Sequence, residues 1–298
     1  MGRIASRGWL PALAAAAVVV GFGPTQQADA QQPKRGGTLT HVVEAEPNTI
    51  DCHASATSFT IQLVAPHYST LLKYDPAGYP NIVGDLAEFW SIAPDGTTYT
   101  FKLVPGVTFH DGSTLTAADI KATYDRLRAP PEGVTSARRE QLADVISIET
   151  PDAQTVVFKL KKENAAFLSL LASPWNCVYS AKKLAEDPNY PAKQPMGTGP
   201  YKFVEYVKGS HWTGQRFEGY HRKGLPHLDG FKAVFISGAG VVNALAGGQV
   251  DATFFLVSPA SAKRLEQTVG DKMVFPAGRF NIVNFVTVNV TKAPFDNI

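Results

Sequence analysis

The sequence predicts a mixed α/β fold, because hairpin signals and capped-helix signals alternate along the chain. A first hairpin is predicted from strands at 90–92 and 98–103, joined by the turn 94–96, whose glycine can adopt a positive φ. Thr116 then marks the start of a helix, since an acid three residues later, Asp119, is typical of a reciprocal N-terminal cap. Three apolar residues on one face continue that helix: Ile120, Tyr124 and Leu127.

The remaining elements follow from the same local signals. A second hairpin is expected at 145–150 and 155–160, where residue types alternate on both sides of a turn. The glycine pair 247–248 ends one helix, and Ser258 followed by proline caps another. The further predicted strands are 38–43, 201–207, 211–216, 231–236, 250–256, 274–275 and 281–290. The further predicted helices are 59–72, 165–171, 241–246 and 258–267, and 175–179 is expected to be an extended crossover.

The first thirty residues have the pattern of a secretory signal peptide. Arg3 and Arg7 give a basic start, 10–22 is a short apolar run, and small residues surround a cleavage point at 28–30. The apolar run falls short of the roughly 20 residues that span a bilayer. We therefore expect residues 1–30 to be removed and the protein to be exported in soluble form, which in a Gram-negative cell means the periplasm.

The composition argues against a nucleic-acid partner and leaves the redox state of the two cysteines undecided. Lys plus Arg total 28 against 26 Asp plus Glu, and no basic stripe with interleaved aromatic residues is present, so no nucleic-acid partner is expected. Cys52 and Cys177 would meet an oxidising compartment, where they form either a disulfide or a pair of buried free thiols.

The order of motifs resembles that of the family 5 solute-binding proteins of bacterial ABC importers, the peptide- and nickel-binding group. The hairpin, the turn 110–112 and the capped helix of segment 83–127 follow the family signature. Further matching motifs lie at 197–203, 220–230, 244–251 and 289–296, so the resemblance covers 36–298. The sequence departs from the family pattern at Val104, His221 and Cys52, and it stops at Asn297-Ile298, where members of the family continue.

The resemblance implies an architecture like that of type II periplasmic binding proteins, with the C-terminal lobe missing. Residues 31–59 and 175–298 would form a discontinuous first lobe (domain I), and 60–174 a smaller inserted domain (domain II). The resemblance also favours a disulfide between Cys52 and Cys177, because both positions fall where the family's chain crosses between lobes.

Neither a catalytic constellation nor a metal site is predicted. The sequence has no nucleophile elbow, zinc-protease helix, P-loop or Cys-x-x-Cys motif, and no cofactor is expected. His53, His221 and His227 lack the spacing of a ligand cluster, and His110 belongs to the family turn, where we expect it to fix the loop by hydrogen bonding.

A solute such as a peptide must have its backbone donors and acceptors paired once it leaves water, so polar loop groups and aromatic surface are needed. In relatives, the loop after the first strand and the lobe crossover face the ligand. The residues that the resemblance therefore places at the ligand are Glu46, Asn48, Cys52, His53, Trp175 and Asn176. Two alternatives stay open: Trp175 could be a core residue, and Glu46 could be a solvated loop acid.

The function implied is a periplasmic binding component of an ABC importer. It would bind peptides as a monomer and deliver them to a permease in the inner membrane. The alternatives are another solute (a nickel chelate, an oligosaccharide or an opine), a truncated product that binds nothing, or an exported hydrolase. The hydrolase hypothesis has as candidate nucleophiles only Ser58, Ser180 and Ser210, the last beside His211.

Overall fold

Three β-sheets, with helices between and around them, organise the part of the chain that the computed structural model describes, residues 33–254 and 258–275. The strands are β1 Thr38–Val43, β2 Leu72–Tyr74, β3 Ile82–Gly84, β4 Ala87–Ile92, β5 Thr98–Leu103, β6 Val145–Asp152, β7 Thr155–Leu160, β8 Tyr201–Val207, β9 His211–Arg216, β10 Gly230–Phe235 and β11 Ala252–Thr253. The helices are α1 Ser58–Val64, α2 Ala117–Arg128, α3 Phe167–Leu171, α4 Ala181–Glu186, α5 Ala239–Ala246 and α6 Pro259–Val269.

The largest sheet has five strands in the order β11-β1-β10-β9-β8. β1 pairs in parallel with both β10 and β11, whereas β9 is antiparallel to its two neighbours. Adjacent residues of β1 serve different cores: Val43 joins the cluster around Trp212, and Val42 joins the cluster of α5 and α6. The sheet is therefore covered on both faces along β1.

The second sheet has four antiparallel strands in the order β4-β5-β7-β6. β5 alternates buried and half-buried residues, and its Phe101 packs edge-on against Phe158 of β7 with ring centroids 5.7 Å apart. α2 lies on the same core through Tyr124, whose ring is 5.1 Å from Phe158. The predicted cap is present, since the Thr116 N–H donates to Asp119 Oδ2 at 2.7 Å.

The predicted helix 59–72 is too long. α1 ends at Val64, a short 3₁₀ turn follows at Ala65–His67, and Leu72–Tyr74 is strand β2. Pro66 explains the difference, because proline has no N–H to continue an α-helix and its ring clashes with the preceding turn. Beyond Pro66, Leu72 and Tyr74 belong to strand β2, which pairs with β3.

Smaller differences lie elsewhere in the chain. α4 was not predicted, although Ser180 caps it by accepting a hydrogen bond from the Lys183 N–H at 3.3 Å. Of the predicted strand 250–256, residues 250–254 are described and contain β11, whereas 255–256 lie outside the described residues; 274–275 forms no strand. The predicted signal peptide and the predicted strand 281–290 lie outside the described residues.

The loop 197–199 in the motif GTGPYKF is held by close backbone contact. A Cβ at Gly199 would lie 2.5 Å from the Tyr68 backbone nitrogen, and one at Gly197 would lie 2.4 Å from the His67 carbonyl oxygen. Only glycine, which has no Cβ, allows the backbone segments to come this close, so these glycines are required by packing.

The strands of the two large sheets divide along the chain. All five strands of the larger sheet lie in 31–59 or 175–298, and all four strands of the smaller one lie in 60–174. The lobe boundaries themselves stay a prediction. Within the described residues, no helix is both long enough and apolar enough to span a membrane.

Candidate functional site

Three parallel strands end at one edge of the five-stranded sheet. Val43 at the end of β1 lies opposite Phe235 at the end of β10, and Val42 lies opposite Thr253 of β11. The segments that leave this edge include an exposed aromatic residue, Phe254, with 53% of its surface accessible. Ligands of α/β sheets bind beyond the carboxyl ends of parallel strands, so this edge is the first element of a candidate site.

The segment that leaves β1, residues 44–57, is here called the first-strand loop. It runs from the sheet edge to the crossover 175–179, to which a disulfide between Cys52 and Cys177 joins it, with Cα atoms 6.1 Å apart. The structure thus contains the bridge and not the free thiols. A covalent link between chain positions 125 residues apart fixes where the loop can lie.

A buried ion pair fixes the same loop to α2. Arg126 Nη2 lies 2.6 Å from Asp51 Oδ2, and Arg126 Nη1 donates to Asp51 Oδ1 at 3.3 Å. The Tyr179 hydroxyl also donates to Asp51 Oδ1, at 2.9 Å. Burial alone would raise the pKa of Asp51, but the charge and hydrogen bonds of Arg126 and the hydrogen bond from Tyr179 outweigh it and lower that pKa.

His53 completes this network as a neutral ring. Its Nε2 donates to the Cys177 carbonyl oxygen at 3.0 Å, so its Nδ1 accepts the hydrogen bond from Arg126 Nη1 at 3.0 Å. The ring lies against Tyr179 with centroids 4.3 Å apart. Burial lowers the pKa of His53 to about 3, because the charged form would lose its hydration.

Arg138 joins the first-strand loop to the indole of the crossover. Its guanidinium carbon lies 4.4 Å from the centroid of the Trp175 ring, in the position of a cation–π contact. Its Nη1 donates to the Ser55 carbonyl oxygen at 2.8 Å and to the Cys52 carbonyl oxygen at 3.3 Å. Burial lowers the pKa of Arg138 to about 10, so the group keeps its charge at neutral pH.

Three of the six predicted site residues are buried and bonded within the protein. Cys52 is in the disulfide, His53 is in the network just described, and Asn176 Nδ2 donates to the Leu170 carbonyl oxygen at 2.8 Å. Cys52 and His53 join the first-strand loop to the crossover, and Asn176 joins the crossover to α3.

The other three lie nearer to solvent. Glu46 is half-buried, accepts a hydrogen bond from the Tyr206 hydroxyl and accepts another from the Gly209 N–H at 2.5 Å, so it is not a freely solvated acid. Asn48 is exposed, and its Oδ1 accepts a hydrogen bond from Ser55 at 3.5 Å. Trp175 is half-buried, and its ring contacts the guanidinium of Arg138, which is itself buried. The assignment of all six residues to ligand binding stays a prediction.

The residues that sequence reasoning missed are those that position the loop. Asp51 lies in the loop that carries four predicted site residues but was not one of them, and Arg126 was given no role. A charged residue between apolar positions of an amphipathic helix, as Arg126 is, was an available signal for a buried partner. No such signal marked Arg138, which lies in an irregular segment.

Stability is expected to decline as pH falls through the mildly acidic range. His53 and His67 are buried and neutral, with pKa values lowered to about 3, and burial lowers the pKa of His41 to about 4. Unfolding releases them to bind protons near the ordinary value of 6.5, so the stability present above that value is lost between about pH 6.5 and 4. Each group contributes a slope of about 1.4 kcal/mol per pH unit.

Urea unfolding at pH 7.5, 6.5, 5.5 and 4.5 measures this dependence. The variant His67→Gln should show a smaller slope than the unsubstituted protein, even though it loses the hydrogen bond that His67 Nε2 accepts from the Trp212 indole at 2.9 Å. A free energy of unfolding that stays constant from pH 7.5 to 4.5 would contradict the burial of neutral histidines.

The described residues can be compared with a direct metal site and with the exported-hydrolase hypothesis. They contain no group of three His, Cys, Asp or Glu side chains placed to hold a metal ion. Ser180 serves as the cap of α4. Ser210 contacts His211 Nδ1 at 2.8 Å, and His211 Nε2 contacts Glu205 at 3.1 Å, and this chain of groups lies on the exposed β8–β9 hairpin.

Comparisons with known proteins agree with the fold. A glutathione-binding protein, GsiB, from Pectobacterium atrosepticum is 31% identical over 294 residues, which are 98% of this chain and 54% of that protein. The structure of AgaA in complex with agropinic acid from A. tumefaciens R10 is 34% identical, covers 72% of this chain and 43% of its own, and has a TM-score of 0.67. The oligopeptide-binding protein AppA from Bacillus subtilis, in complex with a nonapeptide, is 26% identical with a TM-score of 0.71 over 80% of this chain and 47% of its own.

The chain spans about half the length of these relatives. The fold is the mixed α/β fold of type II periplasmic binding proteins. The model of the bacterial extracellular solute-binding proteins, family 5 (middle), matches residues 81–298, which is well over half of the chain. The chain therefore belongs to the family 5 bacterial extracellular solute-binding proteins.

Proposed function

We propose that the protein is the periplasmic binding component of an ABC importer, and that the described residues form one wall of its solute site. The observation that carries the proposal is the first-strand loop, which begins at the carboxyl edge of the parallel strands and is fixed to the crossover by the disulfide between Cys52 and Cys177. A binding protein needs a wall whose shape is set before the ligand arrives, because ordering a loop on binding would cost affinity.

Asn48 and Trp175 would meet the solute, and the buried Arg138 would act on it through its charge. Asn48 offers an amide from the exposed side of the loop, and Trp175 offers an aromatic surface at the crossover. Arg138 supplies a buried positive charge behind that ring, which would favour a carboxylate at this surface. Cys52, His53 and Glu46 would act from behind by holding the loop in place, and Asn176 would hold the crossover against α3.

A peptide is the proposed solute class. GsiB is named for glutathione, and the AppA structure contains a nonapeptide. An exposed amide on this wall suits the polar backbone of a short peptide, and the buried charge of Arg138 would favour the terminal carboxylate. The solute would be released unchanged to a permease of the inner membrane, and the protein would act as a monomer.

An opine is the second candidate. The structure of AgaA, which is 34% identical, contains agropinic acid. Arg138 on the Trp175 ring suits an opine carboxylate equally well, so the two solute classes must be distinguished by measurement.

Isothermal titration calorimetry of the protein with trialanine, glutathione and agropinic acid tests the proposal. We expect one of the three to bind with a 1:1 stoichiometry and to be recovered chemically unchanged. Trp175→Ala should weaken that binding by about tenfold or more, as expected for a buried aromatic contact. Trp90→Ala is the matched control, since Trp90 is a half-buried indole on β4 of the other sheet.

Each outcome has a defined meaning. Binding that Trp175→Ala and Trp90→Ala leave equally strong would place the site away from the crossover. Conversion of the solute would favour the exported-hydrolase hypothesis. If none of the three solutes bound, a different solute class or a product that binds nothing would replace the peptide and opine proposals.

A further inference from the structure

A cavity of about 370 Å³ lies apart from the first-strand loop. None of the residues that line it belongs to segment 44–57, and neither Arg138 nor Trp175 is among them. The volume is within the range of small-molecule sites in proteins, at its lower end. The occupant of such a cavity would be the size of a single small metabolite and smaller than an extended peptide.

Most of the cavity wall is apolar and aromatic. Three tyrosine rings contribute to it, Tyr68, Tyr74 and Tyr220, and two prolines, Pro174 and Pro200, close it on other sides. Burial raises the pKa of Tyr220 to about 12, so its hydroxyl stays protonated. Aromatic walls with few polar groups favour a ligand that has an apolar body.

The polar part of the wall is centred on Asp85, which is buried. Its Oδ2 accepts the Thr70 N–H at 3.0 Å, and its Oδ1 lies 3.3 Å from Lys73 Nζ and 3.2 Å from Arg222 Nη2. Two cations thus face one carboxylate, which leaves the group with one positive charge in excess. An excess charge beside a low-dielectric wall attracts an anion more strongly than it would in water.

Lys73 is the cation that has unused N–H donors. Arg222 also donates to the Gly84 carbonyl oxygen at 2.7 Å, whereas the Lys73 ammonium, within the described residues, contacts only Asp85. An ammonium carries three N–H donors, and about a third of the Lys73 side chain is accessible. Lys73 therefore has donors left for a ligand in the cavity that it lines.

We propose that this cavity is a second ligand site, which binds a small monocarboxylate with an aromatic or apolar body. The carboxylate would pair with Lys73, and the body would lie among Tyr68, Tyr74 and Tyr220. A cation is excluded by the same charges, since Asp85 is already neutralised and the surplus is positive. The cavity wall includes no residue of the first-strand loop, although Pro174 directly precedes Trp175 in the chain.

Three ligands of one shape test the charge requirement: 3-phenylpropanoate, 3-phenylpropanamide and 3-phenylpropylamine. Titration of each into the whole chain, followed by calorimetry and ligand-observed NMR, should show the acid bound at least about tenfold more tightly than the amide, and no binding of the amine. Equal affinity for the acid and the amine would overturn the proposal.

Two substitutions test the location. Lys73→Met should weaken binding of 3-phenylpropanoate by about tenfold or more, because it removes the charge-assisted hydrogen bond. Lys102→Met is the matched control, since Lys102 is an accessible lysine of β5 that also pairs with one aspartate, Asp152, outside the cavity. Tyr220→Ala provides an independent variant, and it too should weaken binding. If Lys73→Met and Tyr220→Ala both retained full affinity, the acid would bind elsewhere and the proposal would fail.

Discussion

Arg126→Met is expected to destabilise the protein by about 3–5 kcal/mol, the usual cost of removing one partner from a buried ion pair. The substitution keeps most of the side-chain volume and removes the charge that neutralises Asp51, whose side chain is only 4% exposed. Asp51 would then have to remain charged in a low-dielectric surrounding or take up a proton. Urea unfolding at pH 7.5 measures the loss of free energy.

The control lies on the same helix. Lys121→Met removes an exposed pair with Asp125 four residues on, which is worth about 0.5 kcal/mol or less. Because a buried pair can be replaced by apolar residues at little cost, the double variant Asp51→Leu with Arg126→Met should recover part of the loss. If Arg126→Met cost no more than Lys121→Met, the pair would not hold the first-strand loop.

Replacing both cysteines, Cys52→Ser with Cys177→Ser, is expected to cost about 2–5 kcal/mol. The cross-link restricts the unfolded chain over a separation of 125 residues, and long closed loops gain most from such a restriction. The folded state also loses a link that joins the first-strand loop to the crossover. Thermal unfolding of this variant, beside the unsubstituted protein with and without dithiothreitol, measures the effect.

The reductant supplies the internal control. Dithiothreitol should lower the melting temperature of the unsubstituted protein and leave that of the double-serine variant unchanged. Mass spectrometry after alkylation of the unreduced protein should show no added label. Label on both cysteines before reduction would show that the bridge does not form.

Local signals predicted the secondary structure where a single turn or cap decides it. The hairpins β4–β5, β6–β7 and β8–β9 each follow a turn whose residues favour one geometry, and the Thr116 cap is satisfied by its own helix. The error at 59–72 arose because apolar spacing was given more weight than Pro66, which ends the helix. Resemblance to a family, and not spacing, indicated the type of fold.

The candidate site was less predictable because long-range contacts build it. Asp51 and Arg126 are 75 positions apart, and Glu46 meets the β8–β9 turn across more than 160. Local patterns carry no information about such pairs, which depend on how the sheets pack. Sequence reasoning therefore proposed the segment 46–53 and the crossover as site elements but could not say that His53 and Asn176 would be buried while Asn48 remained exposed.

The most direct test of the central claim is photo-cross-linking with a solute that carries a diazirine, in the form of a photo-leucine tripeptide, followed by peptide mapping. If the first-strand loop and the crossover form a wall of the solute site, labelled residues will fall within 44–57 and next to Trp175. An excess of unlabelled tripeptide will then reduce this labelling. Competable label confined to other segments would contradict the claim that this wall binds the solute.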